Sequence, residues 1–147
     1  MRSEPEKAHK MVRVVLETNV LVSAFRNKGK SRSLLHTLME KHEVVLSSQI
    51  LAELADVLSR DKFNVANAQI DKFLSILVRY AVVVPVQSTS KIIIEDPDDD
   101  IILDTAFCGK AEYIISGDKH LLKIARYQNV QILSINDFLQ KIGKKQL

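Results

Sequence analysis

A parallel β-sheet covered by helices on both faces is the fold class this sequence predicts, and three observations predict it. Short, continuous apolar runs rich in β-branched residues recur along the chain, the pattern of strands buried on both sides. Between them lie stretches with apolar residues at helical spacing, so that strand and helix alternate. At 147 residues the chain is long enough to bury a core within one domain.

The elements can be justified in order. Residues 1–10, "MRSEPEKAHK", are polar and aperiodic and read as a flexible leader, so the domain is expected over 11–143. Val12 to Leu16 ("VRVVL") is the first strand, and Leu34, Leu35 and Leu38 mark a helix. Val44 to Leu46 is the second strand. Ile50, Leu54 and Leu58, flanked by Leu51 and Ala55, mark the helix that follows. Ile70, Phe73, Leu74 and Leu77 give the next helix, before a third strand at Val82 to Val84. Ile101 to Phe107 is helical, and Tyr113 to Ile115 and Val130 to Leu133 are strands. Ser134 with Asp137 three residues on resembles a capping box, opening a last helix through Ile135, Phe138, Leu139 and Ile142. Residues 144–147 read as a flexible basic tail.

Composition excludes several classes. No apolar run approaches a membrane span, and no secretory h-region opens the chain, so a cytoplasmic protein without membrane contact is expected. Cys108 stands alone, which rules out a disulfide framework or a cysteine zinc site. It reads as a small buried residue. His9, His36, His42 and His120 are scattered without zinc-ligand spacing. Gly29, Gly109 and Gly117 make no phosphate-cradling loop. The net charge of +3 is compatible with a polyanionic partner.

Against that basic balance, the stretch "IIIEDPDDDIILDTAF" packs five carboxylates into positions 95–100. Glu95, Asp96, Asp98 and Asp99, with Pro97 among them, read as a solvated turn. Asp100 opens a helix, and Asp104 lies at i+4 on the same face. Three more acids fall where an open parallel sheet places its ligands, beyond the carboxyl ends of strands. Glu17 directly follows the first strand, Glu53 lies just past the second, and Asp118 follows the strand at 113–115. Each has a structural alternative: a first-turn charge for Asp100, an N-cap for Asp118, a solvated helix position for Glu53. Together they would repel one another unless a cation lay between them.

The runs "VVLETNVLVSAF", "VVLSSQILAELADVLSR", "DPDDDIILDTAF" and "AEYIISGDKHLL", in this order, resemble the PIN-domain nucleases. The closest resemblance is to the prokaryotic branch grouped with the toxins of toxin–antitoxin pairs. It spans nearly the whole chain from Val12 to about Ile142. It implies a three-layer α/β/α domain, an acidic pocket for Mg²⁺ or Mn²⁺, and hydrolysis of RNA phosphodiester bonds. It also implies a cognate antitoxin as partner, and homodimers are common in the family. By resemblance, Glu17, Glu53, Asp100 and Asp118 are the catalytic acids, with Glu17, Asp100, Asp104 and Asp118 on the metal. Asn19 braces the first acid, Ser23 lines the same pocket, and Ser116 is the small residue before the last acid. One departure stands out: the family's first acid is ordinarily Asp, and here it is Glu17.

Carboxylates without His or Cys suit a hard cation. Arg26, Lys28, Lys30 and Arg32 in "FRNKGKSR", with Lys119 and His120 after Asp118, would contact phosphates flanking the cut. A solvated basic loop is the alternative. Two rival functions follow: a catalytically weakened PIN fold binding RNA or protein, favoured by Glu17, and a phospho-aspartyl enzyme on a doubly wound sheet. Glu17 stands where the latter needs a nucleophilic Asp.

Overall fold

The computed structural model describes residues 11–86 and 97–142. Strands β1 (Arg13–Leu16), β2 (Glu43–Ser47), β3 (Val82–Val84), β4 (Tyr113–Ile115), β5 (Arg126–Tyr127) and β6 (Val130–Leu133) form one sheet, in the order β3-β2-β1-β4-β6-β5. β1 pairs in parallel with β2 and β4, β2 with β3, and β4 with β6. Only β5 is antiparallel, folded back on β6.

Seven α-helices surround the sheet among the described residues: α1 (Thr18–Arg26), α2 (Lys30–Lys41), α3 (Ser48–Leu58), α4 (Asn67–Tyr80), α5 (Pro97–Cys108), α6 (Lys119–Ile124) and α7 (Ile135–Ile142). Successive strand residues face opposite sides. Val14, Val15 and Leu16 of β1 are all fully buried, as are Val44, Val45 and Leu46 of β2, so both faces are covered. The architecture is the three-layer α/β/α sandwich. Every helix contributes at least one side chain sealed from water: Leu21, Leu38, Leu54, Leu77, Leu103, Leu121 and Phe138, in chain order. Burying a side chain of this size is worth about 1.5–3 kcal/mol.

Three features depart from the expectations. α1 was not foreseen, because Thr18, Val20 and Val22 are β-branched and extend the strand-like run of β1. The chain nevertheless turns into a helix directly after Glu17, which places Val20, Leu21 and Ala24 in the core. β5 was also missed. Its hairpin turns through Gln128 and Asn129, with Gln128 at φ 52°, and lacks the Asn-Gly or Asp-Gly pair that usually marks such a turn.

The acidic stretch is the third. Pro97 to Asp99 belong to the first turn of α5 and not to a turn before it, since proline is suited to a first helical position. Glu95 and Asp96 lie outside the described residues. The same helix corrects the expectation for Cys108, which is exposed. Leu103 and Ala106 face the core, and the next two residues, Phe107 and Cys108, turn away from it. α5 then stops against β2 at Gly109, where a Cβ would lie 2.3 Å from Val45 Cγ1.

Candidate active site

Strand order runs from β1 to β2 and β3 on one side and to β4 and β6 on the other. The carboxyl ends of β1 and β4 therefore flank the switch point where a ligand crevice forms. Glu17 is the first residue beyond β1, and its backbone N–H donates to the Ile115 carbonyl at 3.1 Å, extending the β1–β4 ladder by one residue. Ser116, Gly117 and Asp118 leave β4 at the same level. The Ser116 hydroxyl is sealed from water, donates to Glu17 Oε1 at 2.9 Å and accepts the Asp118 backbone N–H at 2.9 Å. One serine thus ties the two acids together.

The surroundings of Glu17 disfavour its charged form. Burial pushes its pKa above the ordinary value, and the charges of Asp118 and Glu53 push in the same direction. Hydrogen bonds from Ser116 and the Gly117 backbone oppose this without cancelling it. Glu17, Glu53 and Asp118 therefore form one electrostatically coupled cluster. Glu53 reaches it from α3, half-buried, with Oε1 accepting from Thr18 Oγ1 at 2.7 Å. Thr18 is buried, and its role was not foreseen from sequence. Its position beside Glu17 in "ETNV" was the available signal. Asp118 is also the N-cap of α6, accepting the His120 N–H at 2.7 Å, so its structural alternative holds alongside its place in the cluster.

Asp100 and Asp104 come from α5, which packs on β1, β2 and β4. Both are buried, at 8% and 1% exposure. Neither oxygen of Asp104 has a hydrogen-bond partner among the described residues. Beside them the Thr105 hydroxyl bridges Ser47 Oγ at 2.9 Å and the Ile101 carbonyl at 2.7 Å, while Ser47 Oγ caps α3 through the Ile50 N–H. This buried hydroxyl pair locks α5 to the end of β2, the same end from which Glu53 projects. Among the described residues no three carboxylates stand close enough to share one metal ion as they are placed.

The remaining expected site residues divide into two groups. Asn19, Ser23, Lys30 and Ser116 line one cleft of about 380 Å³ beside Glu17. Lys28 and Lys119 are exposed. Arg26 stacks on the Phe63 ring, 4.5 Å from its centroid. Arg32 is taken up structurally: its guanidinium donates to the Ala24 and Phe25 carbonyls at the end of α1. The basic stretch is therefore partly a helix cap, and Lys30 is its member that lines the cleft.

The PIN-domain family model matches residues 13–120. The chain belongs to the PIN-domain family. Its fold is also that of solved assemblies. The VapBC2 complex of Rickettsia felis, crystallised with a DNA fragment from its promoter, contains a chain 20% identical, at TM-score 0.58, covering 82% of this chain and 96% of that one. VapBC-1 of nontypeable Haemophilus influenzae gives 17% identity, TM-score 0.55, and coverage of 84% and 98%. No curated protein matches this PIN domain.

A second surface of this PIN domain is apolar. A groove of about 900 Å³ is lined by Phe25, Leu35, Met39, Phe63, Phe73 and Ile76, with Arg26, His36 and Lys72 at its polar positions. Phe25 and Phe73 meet there with centroids 5.0 Å apart. No described helix is long and apolar enough to cross a membrane.

Proposed function

We propose that this PIN domain is a metal-dependent endoribonuclease that acts in the cytoplasm as the toxin of a toxin–antitoxin pair. The observation that carries the reading is the gathering of Glu17, Glu53 and Asp118 at the switch point, and α5 adds a buried Asp104 with no hydrogen-bond partner among the described residues. A buried, unpaired carboxylate is costly without a compensating charge, and the donors are all oxygen, as Mg²⁺ or Mn²⁺ prefers. Glu17, Asp100, Asp104 and Asp118 would hold the ion. When bound, it supplies activation of a water and neutralisation of charge growing on the phosphate.

The chain's own groups do the positioning. Ser116 and the Gly117 N–H hold Glu17 in place. Thr18 fixes Oε1 of Glu53, leaving Oε2 to accept a proton from water. The extra methylene of Glu17, compared with Asp, moves its carboxylate outward by roughly one C–C bond and adds a torsion. Glu17→Asp should therefore keep or raise activity, and Glu17→Gln should lose most of it.

The test is cleavage of single-stranded and structured RNA with and without each metal, using wild type, Asp100→Asn and Asp118→Asn. Cleavage that requires metal and fails in both variants supports the enzyme. A second reading, a weakened PIN fold that only binds RNA or protein, draws on Glu17 and on the absence of three convergent carboxylates among the described residues. It prevails if no form, Glu17→Asp included, cuts RNA. The partner is the antitoxin, and the apolar groove is suited to an amphipathic helix with acidic residues facing Arg26 and Lys72. Co-expression with the neighbouring reading frame, followed by sizing, reads both that complex and any homodimer.

A further inference from the structure

The cleft lined by Asn19, Ser23, Lys30 and Ser116 is not part of the acidic cluster, although the two share the Ser116–Gly117 corner. Its far wall comes from the first turn of α2, with Lys30 and Ser31, and from Ser134 and Asn136 at the start of α7. Among the described residues no acidic and no aromatic side chain lines it. The cation on that wall is Lys30. Lys30 Nζ donates to Asn136 Oδ1, joining the starts of two helices 106 positions apart in sequence, and it makes no ion pair among the described residues. The acids of the site therefore stay out of this lining, and among the described residues the one charged side chain in it is the cation of Lys30.

We propose that this cleft is a substrate subsite that seats a ribose-phosphate unit of single-stranded RNA next to the bond that is cut. The inference rests on the nuclease reading for its substrate. The volume of about 380 Å³ lies within the usual range for ligand sites, about 300–1,000 Å³. Lys30 supplies a phosphate contact with the two N–H donors not given to Asn136. The Ser23 and Ser31 hydroxyls, both partly exposed, and the amide of Asn19 can each donate and accept, which matches the 2′-hydroxyl that separates RNA from DNA. With no ring in the lining, there is nothing for a base to stack on, so the subsite reads backbone and not sequence. Asn136 is a positioning residue here, acting through Lys30.

The experiment measures binding of a fluorescent single-stranded RNA decamer to the full chain by anisotropy, in EDTA so that no cutting occurs. Wild type is compared with Lys30→Ala, Lys30→Arg, Asn136→Ala and Ser31→Ala, each checked for an unchanged melting temperature. Lys141→Ala, at the far end of α7, serves as control. Lys30→Ala should weaken binding about tenfold and lower the salt slope by about 0.7. Lys30→Arg should restore the slope. Asn136→Ala should weaken binding without changing the slope, and the DNA decamer should bind less tightly than RNA and lose less on Ser31→Ala.

Affinities and slopes of Lys30→Ala and Asn136→Ala equal to those of wild type and Lys141→Ala would overturn the subsite. Equal RNA and DNA affinity would overturn its ribose component. The two readings fail separately. A protein that cuts RNA while these variants behave as wild type keeps the nuclease and loses the subsite. A protein that never cuts, yet binds RNA through Lys30, does the reverse.

Discussion

Replacing Asp104 with leucine should make the metal-free protein more stable and remove its response to metal. Asp104 is 1% exposed, and neither oxygen has a hydrogen-bond partner among the described residues. Its neighbours Leu103 and Ala106 are fully buried, so the carboxylate sits at the edge of core. A buried polar group left unpaired costs about 1–3 kcal/mol, more when charged. Leucine keeps the branch at Cγ and removes that term, although its larger volume returns some of the gain through crowding. The expected net gain is about 1–3 kcal/mol, read as a rise in melting temperature of about 2–4 °C per kcal/mol at this chain length. Asp104→Asn should gain less, because the amide brings two buried N–H donors of its own. The assay is thermal unfolding in EDTA and again in Mn²⁺. At a metal concentration 100 times its Kd, wild type should gain about 2.7 kcal/mol, and Asp104→Leu should gain much less. A leucine variant that melts at or below wild type in EDTA would refute the reasoning, because the carboxylate would then be supporting the fold it is argued to burden.

Other outcomes follow from the same geometry. Because the folded pKa of Glu17 is raised, its contribution to stability is complete below the ordinary carboxylate range and is lost as pH rises through the folded value. Glu17→Gln should therefore gain on wild type in metal-free buffer as pH climbs above about 4.5, by at most about 1.4 kcal/mol per pH unit; denaturant melts from pH 4 upward test this, and a difference independent of pH would contradict it. Thr18→Val keeps the buried shape but frees Glu53 Oε1, so cleavage should fall about tenfold or more while stability changes by no more than about 1.5 kcal/mol. Equal cleavage rates would remove Thr18 from the site. Gly109→Ala drives a Cβ to 2.3 Å from Val45 Cγ1, which should cost about 1–3 kcal/mol. Combining it with Val45→Ala should recover part of the loss in a double-mutant cycle.

What could be read from the chain beforehand was the part written in periodicity. Continuous apolar runs announced β1, β2, β3, β4 and β6, and the acids after β1, β2 and β4 followed from where a parallel sheet opens. Local propensity misled at α1, whose threonine and valines suit a strand as well as a helix and become helical because of what they pack against. The hydroxyl groups were invisible for another reason. Thr18 on Glu53, Thr105 on Ser47 and Ser116 on Glu17 are contacts 35, 58 and 99 positions apart, and nothing in a serine or threonine marks its distant partner. The pairing of Lys30 with Asn136 is of the same kind. Charge alone also overstated the basic loop, since it does not distinguish Arg32, held by two carbonyls, from Lys30.

The parallel pairing of β1 with β4 has a consequence for the order in which the molecule is made. Glu17 is fixed by the Ile115 carbonyl and by Ser116, yet about a hundred residues of chain lie between them. A nascent chain that has emerged only as far as β3 carries Glu17, Thr18 and Glu53 but has no β4 against which to set them. The contacts that seat Glu17 can therefore form only after β4 and Ser116 have been added to the chain, so this corner of the sheet is assembled late, from its two distant halves at once.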